Sequence, residues 1–71
     1  MRATGRYTVW AAHLHRGPYV VNRHDYPGSA LVERDRFRRM ARGLADYYVL
    51  DTHRPDDPPV EWEMPVKGAA W

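Results

Sequence analysis

His13 and His15 stand two residues apart, so on a strand their imidazoles would share one face, with His24 and Asp25 as further potential ligands. That spacing suits a metal ion. A zinc site, however, needs a full tetrahedral set of placed donors, and nothing in the sequence fixes the rest of one. Surface histidines beside a turn are the simpler account. Asp25, Asp46, Asp51, Asp56 and Asp57 could pair for acid–base or two-metal work, yet no spacing puts two of them in one cleft. With no cysteine, disulfides, thiolate zinc sites and thiol redox chemistry are excluded. A chain this short also has little volume for a substrate pocket. The sequence points away from catalysis and implies neither a metal nor a cofactor.

Two charged groups suggest binding instead. Arg34, Arg36, Arg38 and Arg39 crowd the expected start of a helix, where the helix dipole is already positive. An anion, a phosphate backbone or an acidic partner would complete such a group, with Arg38, Arg39 and Arg42 as nucleic-acid contacts. A solvated arginine face, partly neutralised by Glu33 and Asp35, is the plainer alternative. Near the other end Asp56, Asp57, Glu61 and Glu63 make an acidic strip that could steer a basic partner. Equally, it could be a solvated face that discourages edge aggregation. Net charge is only +2, too mild to imply nucleic-acid binding by itself. All but one of the eleven basic residues are arginine, a bias that GC-rich coding would produce without any function.

The elements that must position these groups follow from alternation and periodicity. Tyr7-Thr8-Val9-Trp10-Ala11-Ala12-His13-Leu14 is rich in β-formers. Tyr7, Val9 and Ala11 fall on one face and Trp10, Ala12 and Leu14 on the other. Both faces are substantially apolar, which predicts cover on both sides. After the Arg16-Gly17-Pro18 turn, Tyr19–Asn22 is the return strand. Tyr26-Pro27-Gly28 is turn chemistry, and Ser29–Val32 is expected as a short third strand. From Asp35, a plausible N-cap, the residues Phe37, Met40, Ala41, Leu44, Tyr47 and Tyr48 recur at helical spacing. Asp35–Arg39 and Arg42–Asp46 are expected as i, i+4 pairs. The proline-rich stretch 51–59 would end that helix. Val60, Trp62, Met64 and Val66 then share a face of a closing strand, with Glu61 and Glu63 opposite.

The expected fold is therefore α+β: a three-stranded antiparallel sheet, one amphipathic helix and a closing fourth strand, in the order β-β-β-α-β. One domain spans 1–71, structured over about 6–66, with 1–5 and 67–71 frayed. A single helix covers one face of such a sheet. The other must meet water, a second copy or a partner. A core of this size supplies about 3–5 kcal/mol, so association, as a homodimer or with a partner, is expected. Trp10 and Trp62 are the leading apolar anchors. No apolar run approaches the ~20 residues of a membrane span, and the N-terminus does not read as a signal peptide. A soluble, cytoplasmic chain with no membrane contact is the expectation.

The order of elements, with Tyr7-Thr8-Val9, the Arg16-Gly17-Pro18-Tyr19-Val20-Val21 return, Tyr26-Pro27-Gly28, the helix from Arg34 and the closing strand 60–66, resembles the HicB-like antitoxins over roughly residues 6–66. That resemblance implies a truncated ribonuclease-H-like domain without hydrolytic activity. It implies a role in binding and masking a small basic RNA-cleaving toxin, through Trp10, Asp56, Asp57, Glu61, Trp62 and Glu63. Many such antitoxins add a C-terminal DNA-binding segment; here the chain ends soon after the closing strand, so autonomous operator binding is not expected. The competing readings are a small nucleic-acid-binding protein using the arginine-rich helix, and a phage or accessory protein that binds an unrelated host protein.

Overall fold

The computed structural model describes residues 5–13 and 15–62. Along the chain run β1 (Tyr7–His13), β2 (Arg16–His24), α1 (Pro27–Ala41) and β3 (Ala45–Asp51). The strands form one antiparallel sheet in the order β2-β1-β3. The α+β class, the three-stranded antiparallel sheet, the single helix and a strand after the helix are as the sequence predicts. The third strand, however, comes after the helix and not before it.

Ser29–Val32, expected as a strand, lies inside α1. Pro27 explains the difference. Its fixed φ and missing N–H suit the first turn of a helix, and extended Tyr26 precedes it as the N-cap. Asp35 is consequently a mid-helix residue and caps nothing. Tyr47 and Tyr48, expected on the helix, belong to β3. The helix stops earlier because Arg42 takes a left-handed conformation (φ 53°, ψ 41°) and Gly43 follows at φ 85°. The tyrosines and valine beyond them are β-formers on an alternating run.

The core lies between α1 and one face of the sheet. Val9 of β1, Val49 of β3, and Ala30 and Leu31 of α1 are its buried centre, flanked by Tyr7, Val21, Phe37 and Val60. Phe37 stacks on Tyr47 with centroids 5.0 Å apart. Met40 and Leu44, expected on the apolar face, are instead 67% and 73% exposed. The core-facing stripe runs through the buried Ala30, Leu31 and Arg34 and the half-buried Phe37, Arg38 and Ala41, with arginines at two of its positions. Of the closing strand, a single bridge, Val60 to Val49, falls among the described residues. Glu63, Met64 and Val66 lie outside them, as do Leu14 and 67–71. Gly5, expected in a frayed terminus, donates its N–H to Asp25 Oδ1 at 2.8 Å.

A non-glycine residue in the left-handed region carries a steric cost. Replacing Arg42 by glycine should therefore stabilise the fold by about 0.5–1 kcal/mol, raising Tm by a few degrees in thermal circular dichroism. Gly43→Ala should lower it.

Candidate interaction surface

Alternation along β1 sends Val9 and Ala11 under the helix and Thr8, Trp10 and Ala12 to the opposite face. On that face Trp10 sits opposite Val20 of β2 and Tyr48 of β3, and Thr8 opposite Leu50. The Trp10 and Tyr48 rings are parallel to within 4°, with centroids 6.2 Å apart. The Trp10 indole N–H donates to Thr8 Oγ1 at 2.8 Å, and the Thr8 hydroxyl donates to the Leu50 carbonyl at 3.4 Å. The indole is thus pinned along the sheet, and Thr8 is buried. Trp10, Ala12, Val20, Tyr48 and Leu50 stay half-buried. Cover on both faces of β1 was the expectation from its sequence. Among the described residues only the helical face has it.

Both sheet edges are occupied or guarded. β2 is an edge strand that contains Pro18, which has no N–H to offer a neighbour, and it carries Arg16 and Arg23 near its ends. On the β3 edge the Val49 carbonyl accepts the Val60 N–H at 2.8 Å. The next outward carbonyl, that of Tyr47, accepts two bonds from the Arg38 guanidinium, at 3.1 and 2.8 Å. Both edges thus offer few free backbone groups for strand addition, and the face opposite the helix is the uncovered surface among the described residues.

The acidic strip lies elsewhere. The segment after β3 returns along the helical side, and its anchor is Arg34, only 3% exposed. Arg34 donates to Asp35 Oδ1 at 2.8 and 3.0 Å, to the Val60 carbonyl at 3.4 Å and to Glu61 Oε1 at 3.2 Å. Trp62 donates its indole N–H to the other Asp35 oxygen at 2.8 Å, and that bond, with help from Arg34, holds the Asp35 carboxyl below its ordinary pKa. Asp57 pairs with Arg54 at 3.6 Å, and Asp56 is exposed. Between this segment and the start of α1 runs a groove of about 670 Å³, lined by Tyr7, Leu31, Val60 and Trp62 with the Arg6–Asp51 pair at its side. The six residues expected to meet a partner are thus split: Trp10 on the open sheet face, Asp56, Asp57, Glu61 and Trp62 beside the groove, and Glu63 outside the described residues.

The remaining expectations are redistributed too. Asp46 pairs with Arg38 at 3.1 Å and not with Arg42, while Asp35 pairs with Arg34 and not with Arg39. Arg38 is therefore committed to the fold, whereas Arg39 and Arg42 are exposed. His13 shares a 2.8 Å hydrogen bond with Tyr19 Oη and stacks on its ring. His24 shares a 2.7 Å hydrogen bond with Glu33. Among the described residues no group of three or more His, Cys, Asp or Glu could hold a metal ion. What sequence reasoning missed are Arg34, Tyr48 and the Arg6–Asp51 pair. Tyr48 was readable, since it alternates with Asp46 and Leu50; an arginine in a buried stripe carries no such signal. Compared with known protein families, curated proteins and solved structures, the chain matches none of them.

Arg6 binds Asp51 through Nε and Nη2 at 2.8 and 2.9 Å. That fork, against a smaller opposing effect of desolvation and with help from the His53 N–H, lowers the Asp51 pKa from 3.8 to about 2. Because the folded value is the lower one, the stabilisation is complete above the unfolded value and is lost as the pH falls from about 4 to about 2. Urea unfolding across that range should show the loss in the native chain, and Asp51→Asn should flatten it. At neutral pH, Arg34→Met should cost about 1–3 kcal/mol, since it leaves the Val60 carbonyl and the returning segment without their donor. Glu61→Gln, at an exposed partner, should cost under about 1 kcal/mol.

Proposed function

We propose that this chain is an interaction domain of the HicB-like antitoxin kind, which binds a small basic RNA-cleaving protein and masks it by protein–protein contact. The observation that carries the reading is the open sheet face: a pinned Trp10 stacked on Tyr48, with Ala12, Val20 and Leu50 around them. Buried against a partner, rigid aromatics of this kind are the usual energetic centre of an interface. The guarded edges favour docking on the face over strand addition.

Size constrains the contact. Three strands about 4.8 Å apart and about 23 Å long give a face near 14 Å by 23 Å, well short of the ~800 Å² per partner of a stable interface. A tight partner must therefore also reach past the strand ends. To meet the exposed Asp56, it would have to wrap around the β3 edge to the helical side. The chemistry is occlusion: the domain supplies no reacting group and acts by denying substrate access to its partner.

The test is capture with the tagged chain from native lysate, followed by ribonuclease assay of any small basic protein that copurifies at fixed stoichiometry. The captured protein should cleave RNA when free and fall silent when the domain is added back. Trp10→Ser with Tyr48→Ser should weaken the complex at least tenfold while the circular dichroism spectrum is kept. Capture unaffected by these substitutions, or a captured protein without ribonuclease activity, would overturn the reading.

A further inference from the structure

The pairing of charges in this fold is lopsided. Among the described residues, Glu33 is joined to His24, Asp35 and Glu61 to Arg34, Asp46 to Arg38, Asp51 to Arg6, and Asp57 to Arg54. Folding thus engages most of the carboxylates internally. Arginines are treated differently. Arg16, Arg23, Arg36, Arg39 and Arg42 make no ion pair within 4 Å among the described residues, and all are exposed. Five exposed arginines are thus left without an internal ion-pair partner among the described residues.

Three of those arginines lie together. The core-facing stripe of α1 runs through Ala30, Leu31, Arg34 and Phe37, and at 100° per residue Arg36 and Arg39 fall on the side opposite it. Arg42, at the left-handed cap, continues the series at the same three-residue step. Val32 and Met40, 51% and 67% exposed, flank them. Each step climbs about 4.5 Å and turns about 60° around the axis, so the three arginine stems fan across the outer side of the helix toward its C-terminal end. Planar guanidinium forks suit phosphate oxygens in bidentate contacts.

We propose that the outer face of α1 binds a nucleic-acid strand through its phosphates, with Arg36, Arg39 and Arg42 as the contacts. This surface is separate from the open sheet face, because the helix and that face lie on opposite sides of the sheet. Arg38 takes no part, since its guanidinium is held by Asp46 and the Tyr47 carbonyl. Binding is independent of base sequence, because nothing on this face is placed to read base edges. An acidic protein surface is the alternative occupant, and polyglutamate of matched charge tests for it.

The experiment is fluorescence anisotropy of a labelled oligouridylate of about 12 nucleotides, titrated with the full chain at several salt concentrations. The proposal expects a Kd of roughly 1–100 µM and an affinity that falls about 20-fold between about 50 and 200 mM salt, as three displaced counterions require. Arg36→Gln/Arg39→Gln/Arg42→Gly should weaken binding at least tenfold and flatten the salt dependence. Arg42→Gly alone removes a charge while relaxing the backbone, so its weaker binding cannot be put down to unfolding. Arg16→Gln/Arg23→Gln and Trp10→Ser should leave the affinity within about twofold. No binding, loss with Trp10→Ser in place of the helix variants, or equal affinity for polyglutamate of the same charge would each overturn the proposal.

Discussion

A buried guanidinium joins the helix to the chain that returns beneath it. Arg34 sits in the core-facing stripe of α1, where an apolar residue would be usual, and its donors are divided among Asp35, Glu61 and the Val60 carbonyl. A charge taken out of water at this depth is tolerable only when its donors are satisfied. The satisfaction comes from residues 60–62, which are thereby fixed against the helix. With them come Val60, which completes the core beside Val49, and Trp62, which closes on the second Asp35 oxygen. In a chain without disulfides this contact substitutes for a covalent staple.

That arrangement decides which surfaces are left for function. Val60 and Arg38 take the outward carbonyls of β3, and Pro18 with its flanking arginines guards β2. The helix covers one face of the sheet. What remains is the aromatic face around Trp10 and Tyr48, and the arginine-lined back of the helix. Of the acidic strip, Asp57 and Glu61 are paired within the fold, so the two sides of the domain differ: one presents aromatic and apolar side chains, the other the exposed arginines of the helix beside the returning acidic segment.

Much of this was legible from residue order. Alternation in Tyr7–His13 correctly separated Val9 and Ala11 from Trp10 and Ala12, and the hairpin and the single helix followed from turn and periodicity signals. The misplaced third strand came from reading Pro27-Gly28 as a turn, when proline serves equally well as the first helical residue. The helix was then begun late and extended through Tyr48, because its true stripe includes Arg34 and Arg38, which a hydrophobic pattern counts as solvent-facing. Long-range partners were the least accessible. Arg6 with Asp51 and Arg34 with Glu61 are brought together by strand pairing and chain return, which local spacing does not encode. Consequently the acidic strip and Trp10, both expected to meet a partner, lie on different surfaces.

We propose the open sheet face as the surface that holds a protein partner. The most direct test of this claim is an NMR comparison of the isotope-labelled chain, free and in complex with its captured partner. The claim predicts the largest shifts at the Trp10 indole N–H and at the amides of Ala12, Val20, Tyr48 and Leu50. Shifts confined to residues 54–62 around the groove, with the Trp10 indole unmoved, would contradict it.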